Sequence, residues 1–133
     1  MLIKHWLVLK TYSLIITILY SLALATVCLI KVDKLVEEVH IQNADKIFHF
    51  SAYFVLAILW YVTLFFQFKI NKNKSIIYAI CFSVVFGIII EVLQGAITTS
   101  RQSDINDVFA NTLGALLATL VIYIKNRILI KKI

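Results

Sequence analysis

Hydrophobic residues form four long runs along the chain, separated by short polar stretches. The runs cover residues 11–30, 47–68, 75–96 and 108–124, and the third is interrupted only by Glu91. A membrane-spanning helix needs about 17 to 25 mostly apolar residues, so each run is long enough to cross a bilayer, the fourth only just. The pattern predicts an all-α membrane protein, a four-transmembrane-helix bundle formed by one domain over residues 1–133.

The segment between the first two runs, residues 31–44, also carries a pattern. Its apolar residues recur at helical spacing, and its charged residues lie between them. This arrangement predicts a short amphipathic helix in the outer membrane interface, with a solvated connector as the alternative. We assign no chemistry to the first run, whose threonines, serines and tyrosines can bond to backbone carbonyls.

Composition and charge support the membrane assignment and give it an orientation. The chain is 62% hydrophobic and has no proline, and its mean hydropathy is +0.94. With four spans, both termini and the second loop share one side, which holds most of the 13 basic residues and none of the seven acids. The positive-inside rule places that side in the cytoplasm, and it explains the net charge of +6 without a nucleic-acid partner. The turn at residues 97–107 is then expected to face outward.

Polar residues are concentrated around that turn. Glu91 and Gln94 lie near the end of the third run, Asn111 lies just inside the fourth, and Arg101, Asp104 and Asp107 lie between them. A charged side chain within hydrocarbon costs about 2.5 to 3.5 kcal/mol on insertion scales. These side chains are therefore expected to face one another, a cavity or a ligand. Helix capping explains Asp104 adequately but does not explain Glu91.

The second run brings a further polar set to the same depth. Asp45, His49 and Tyr53 are spaced four residues apart, so they share one helix face, and Lys46 flanks it. Counted at about 1.5 Å per residue from the outer end of each helix, His49, Glu91 and Asn111 lie at similar depths. Three polar groups on three helices are therefore predicted to converge in the outer leaflet.

Small residues predict where helices approach closely. Ala110, Gly114 and Ala118 form a stripe on one face of the fourth run, and Gly87 lies on the polar face of the third. Such stripes let another helix pack at short distance. The partner helix could belong to the same chain or to a second copy, so a homodimer is one possibility.

Several spaced motifs resemble the VanZ-like family of small bacterial integral membrane proteins. They are D-K-x-x-H-F-x-x-Y-F at 45–54, E-x-x-Q at 91–94, Arg101, and D-x-x-D-x-x-x-N-T-x-G at 104–114. The chain departs from the family pattern at Ala118, where a second glycine is common, and in lacking a proline in the first outer loop. The resemblance implies a cell-envelope protein of the bacterial cytoplasmic membrane that affects susceptibility to teicoplanin-type glycopeptides.

Three hypotheses for the polar residues stay open. The first is an outward-facing site for a phosphate-bearing membrane lipid or lipid-linked cell-wall precursor, because Lys46 and Arg101 would lie at the headgroup level. The ligand-binding candidates are Asp45, Lys46, Tyr53, Gln94, Arg101, Asp104 and Asn111.

The second hypothesis rests on the surplus of carboxylates over cations. His49 could act as general base on a phosphoester with Glu91 or Asp107 orienting it, in a hydrolase or transferase. The same groups could bind a divalent cation. The third hypothesis is a purely structural network of paired polar groups in a scaffold or partner-binding membrane protein.

Overall fold

The computed structural model describes residues 2–30, 43–97 and 103–132, and within them the regular structure is entirely helical. Helix α1 is Leu2–Leu29, α2 is Ala44–Val62 and continues as a π-helical segment at Thr63–Gln67, α3 is Lys72–Ile97, and α4 is Ile105–Lys131. Each of the four contains a stretch long and apolar enough to cross a membrane. The predicted all-α fold with four spanning helices is therefore confirmed. The fourth helix extends beyond the predicted apolar run at both ends.

Helix α2 is the centre of the bundle, because its contacts with the other three helices are the most extensive. The side chains buried between helices are mostly small or polar, whereas large aliphatic and aromatic side chains are exposed along every helix. This distribution suits a lipid environment, in which association depends on close packing and hydrogen bonds rather than on the hydrophobic effect.

The small-residue stripe of α4 packs against α2 within the same chain. A Cβ atom at Gly114 would lie only 2.2 Å from the carbonyl oxygen of Phe50, so the two backbones touch at this point. Ala110 and Ala118 are buried on the same face. The close approach that the sequence predicts is thus made within the chain.

A polar seam joins α1 to α2 on the side away from the glycine contact. The hydroxyls of Thr17 and Thr63 hydrogen-bond to each other at 2.8 Å, and Thr17 also donates to a backbone carbonyl of α2. Tyr20 donates to the carbonyl of Ala52 at 2.8 Å. Two of the polar residues in the first run, Thr17 and Tyr20, therefore bond to another helix rather than to their own.

Two predictions fall outside the described residues. They are Arg101 and, except for its last two residues, the interfacial helix at 31–44. The N-cap prediction for the fourth helix is confirmed, because the Asp104 carboxylate accepts a hydrogen bond from the Asn106 backbone at 2.8 Å.

Candidate functional site

The start of α2, the end of α3 and the start of α4 meet at one end of the bundle. Each contributes polar side chains because successive polar residues are three or four apart and so share an inward face. We refer to these eight side chains as the polar cluster: Asp45, Lys46, His49, Tyr53, Glu91, Asp104, Asp107 and Asn111.

An ion pair joins α2 to α4 at the edge of the cluster. The Lys46 ammonium donates to the Asp104 carboxylate at 2.6 Å and to Asp107, and it lies 3.7 Å from Asp45. The hydrogen bond from Lys46 lowers the pKa of the Asp104 carboxyl below its ordinary value. The Asp107 side chain is buried and that of Asp104 is partly exposed. Lys46 is therefore held by carboxylates of its own chain.

His49 lies at the centre of the cluster and is only 1% exposed. Its Nδ1 lies 3.0 Å from the amide oxygen of Asn111, which can only accept, so Nδ1 carries a proton. Its Nε2 faces two carboxylate oxygens, one from Asp45 and one from Asp107, each at 3.6 Å. The group that orients the imidazole is thus the Asn111 amide, whereas the two carboxylates lie at the other ring nitrogen.

Glu91 connects the third helix to the cluster. Its side chain is buried, and one of its oxygens accepts a hydrogen bond from the Asp104 backbone at 3.1 Å. This bond ties the end of α3 to the N-cap residue of α4. A carboxylate at a helix N-terminus is also favoured by the dipole of that helix.

Several buried atoms of the cluster have no hydrogen-bond partner among the described residues. They are His49 Nε2, the Tyr53 hydroxyl, Glu91 Oε1 and Asn111 Nδ2. The residues that carry them are neighbours, since the Tyr53 ring stacks on His49 with centroids 6.4 Å apart, and Gly87 lies against both Tyr53 and Asn111. Buried polar atoms are usually paired, so a group of four at one place requires an explanation.

The structure thus brings most of the predicted site residues together. Gln94 differs, because its amide donates to the backbone carbonyl of Cys28 at 2.7 Å and so links α3 to α1. Sequence analysis missed Ser83, whose buried hydroxyl also has no partner among the described residues. It lies one turn before Gly87, so extending the face of Gly87 and Glu91 backwards would have found it.

The cluster combines groups suited to acid–base chemistry and to metal binding. Asp45, His49 and Asp107 each offer a ligand atom, and these atoms all lie within 4.8 Å of one another. Imidazole and carboxylate are common ligands of divalent metal ions. The Tyr53 hydroxyl and the Asn111 amide, which have no partner among the described residues, can donate hydrogen bonds to an anion.

Comparison with known proteins supports the family resemblance that the motifs indicated. No curated protein and no solved structure matches the chain. The model of one protein family, described as VanZ/LLP1, matches residues 10–126, a range that contains all four spanning helices for most of their length and the whole polar cluster. The chain therefore belongs to the VanZ/LLP1 family of membrane proteins.

Proposed function

We propose that this membrane protein binds a phosphate-bearing lipid or lipid-linked cell-wall precursor at the polar cluster. The charge distribution of the loops supports a site on the outer side of the bacterial cytoplasmic membrane. Binding of such a ligand would connect the protein to the cell envelope, and an effect on glycopeptide susceptibility of the teicoplanin type is the corresponding phenotype.

One observation carries this proposal: four buried polar atoms at one place have no partner among the described residues. Leaving a buried polar atom unpaired costs about 1 to 3 kcal/mol. A cluster that served only to hold helices together would be expected to pair its members, as Lys46 and Asp107 do. Donors and acceptors left over at the centre of the cluster favour a ligand that completes them.

The surroundings of the cluster favour a lipid over a free anion. Ile47, Phe48, Ile105 and Phe109 alternate with the cluster residues along α2 and α4, and all four are exposed. A ligand with a polar head and a hydrocarbon tail could contact the polar cluster with its head and these apolar side chains with its tail. Within the cluster, the Tyr53 hydroxyl and the amide of Asn111 are donors suited to phosphate oxygens.

The geometry of His49 favours a second candidate, a phosphoester hydrolase or transferase. Because the Asn111 amide oxygen accepts from Nδ1–H, a neutral His49 would have the lone pair of Nε2 with which to take up a proton as general base. A purified protein that released phosphate from a lipid phosphoester, and lost this release in His49→Gln, would establish catalysis. Tight retention of the same lipid without turnover would support binding alone.

Two matched tyrosine substitutions test the lipid proposal. Tyr53→Phe removes a buried hydroxyl that lacks a partner among the described residues, whereas Tyr20→Phe removes one that bonds to Ala52. The proteins would be purified in mild detergent and offered phosphatidylglycerol and a polyprenyl phosphate, with retention measured by native mass spectrometry. The two lipids distinguish a general phospholipid site from a precursor site.

The two variants are expected to differ in both lipid retention and melting temperature. Tyr53→Phe should retain less lipid yet melt at the same or a higher temperature, because it removes an unpaired buried polar group. Tyr20→Phe should retain lipid normally and melt lower, since an interhelical hydrogen bond in membrane proteins is worth about 0.6 kcal/mol on average. Equal lipid retention by Tyr53→Phe and the unmodified protein, or no retention by either, would leave the structural network as the better explanation.

A further inference from the structure

Two carboxylates face His49 Nε2, but no cation lies between them and this nitrogen among the described residues. The Nε2 atom faces two carboxylate oxygens, both 3.6 Å away, and makes no hydrogen bond among the described residues. When the ring is neutral with its proton on Nδ1, three electron-rich groups face one another here, and His49 and Asp107 are both buried. A positive charge between them would turn this repulsion into attraction.

The formal charge of this part of the cluster points the same way. Among the described residues, the carboxylates of Asp45, Asp104 and Asp107 surround one ammonium, that of Lys46, and these four groups together have a formal charge of −2. An unpaired charge in or near hydrocarbon is costly. One divalent cation would neutralise the group.

We propose that Asp45, His49 and Asp107 bind one divalent metal ion. The His49 residue is only 1% exposed, and its unpartnered Nε2 faces the two carboxylates, so the site does not consist of solvated surface acids alone. Asp107 can serve both partners, because one of its oxygens contacts Lys46 and the other faces His49.

The two distances from His49 Nε2 to the carboxylate oxygens are compatible with a metal ion of the first transition series. Two ligand atoms 3.6 Å apart, each about 2.1 Å from an ion, subtend an angle of about 118° at it, near the tetrahedral value that Zn²⁺ prefers. One imidazole with two carboxylates suits Zn²⁺ or Mn²⁺ better than Mg²⁺, which favours oxygen alone. Asn111 would be the outer partner that fixes the tautomer of the ligating histidine.

Three ligands from the protein leave coordination positions open for water or for an oxygen of a phosphate. Metal binding by these three side chains does not depend on the lipid proposal, because it can be measured on the protein without added lipid. Lys46 is already paired with Asp104 and Asp107. If both proposals hold, the metal ion rather than Lys46 provides the positive charge that attracts the phosphate of the lipid.

The test begins with the full chain in detergent after treatment with a chelator. Zn²⁺, Mn²⁺ and Mg²⁺ are added separately, and the bound ion is measured by elemental analysis and by titration. Asp45→Asn is the first variant, because the Asp45 side chain is 50% exposed and its loss should leave the fold intact. His49→Gln is the second, and His5→Gln, at an exposed position near the start of α1, is the matched control.

We expect one Zn²⁺ or Mn²⁺ per chain and weaker binding of Mg²⁺. Asp45→Asn should weaken binding by at least about tenfold, the loss that even outer partners of a metal site commonly cause. Its melting temperature without metal should match that of the unmodified protein. With Mn²⁺ bound, pulsed electron paramagnetic resonance should show coupling to a nitrogen that persists in His5→Gln and disappears in His49→Gln.

Two results would overturn the metal site. One is the absence of stoichiometric binding of Zn²⁺ and Mn²⁺ to the chelator-treated protein. The other is binding that Asp45→Asn leaves unchanged, or a nitrogen coupling that His49→Gln retains. Lipid retention in metal-free protein would then show that the lipid proposal stands by itself.

Discussion

The contact between Gly114 and Phe50 permits a sharp prediction about how the bundle is held together. Replacement by alanine would place Cβ 2.2 Å from the Phe50 carbonyl oxygen and 3.1 Å from the Phe54 nitrogen. A carbon and a carbonyl oxygen normally approach no closer than about 3.3 Å. Because the obstructing atoms belong to the backbone, no change of rotamer can relieve the clash, and α2 must move away from α4 by about 1 Å.

The same movement would reach the polar cluster. His49 is adjacent to Phe50, and Asn111 lies one turn before Gly114, so their hydrogen bond spans the displaced interface. A shift of about 1 Å would lengthen it from 3.0 Å to about 4 Å, which is beyond hydrogen-bonding distance. Overpacking costs about 1 to 3 kcal/mol, to which the lost bond adds about 1 kcal/mol.

Gly95→Ala provides the matched control. At this exposed position a new Cβ would lie 3.3 Å from the Ser103 side chain and would not meet a backbone atom so closely. Alanine is favoured over glycine within helices by about 0.5 to 1 kcal/mol, so Gly95→Ala should be neutral or slightly stabilising. Unfolding by detergent titration, with melting temperature as a second measure, would compare the two. If Gly114→Ala were no less stable than Gly95→Ala, the direct contact between α2 and α4 would be refuted.

Two further pairs of polar residues give predictions that double-mutant cycles can check. Lys46→Met should lower the free energy of unfolding by about 3 kcal/mol, because it leaves the buried Asp107 carboxylate without its cation, and Asp107→Asn in the same chain should recover part of that loss. If the double variant were no more stable than Lys46→Met alone, the result would count against the ion pair. Thr17→Val should lower the free energy of unfolding by about 0.6 to 1.7 kcal/mol. The double variant with Thr63→Val should lose less stability than the sum of the two single variants, since neither hydroxyl is then left without its partner. Strict additivity would indicate that the two hydroxyls do not interact.

Much of this arrangement could be predicted from local spacing. The repeat of four residues from Asp45 to Tyr53 places their side chains on one face, and counting residues from the helix ends gives the depth of His49, Glu91 and Asn111. The structure indeed joins His49 to Asn111 and Glu91 to the N-cap residue of α4. Family membership could be predicted for a similar reason, because the motifs are spaced polar residues in otherwise apolar helices.

The pairing of those residues could not be predicted in the same way. The sequence predicted that Lys46 could bind an anion, but in the structure three carboxylates surround its ammonium group. It grouped Gln94 with the site, but the amide bonds to α1. It also left the partner of the glycine stripe undecided between this chain and a second copy, and the stripe packs on α2.

The sequence by itself determined four apolar helices, their approximate ends, and the face and depth of each polar group. Those properties follow from the rise and period of a single helix and from the thickness of a bilayer. Only the tertiary structure decided which helix each face meets, which polar atoms are paired, and which buried polar atoms have no partner among the described residues. These depend on the rotation and separation of neighbouring helices, because a shift of about 1 Å is enough to make or break a hydrogen bond.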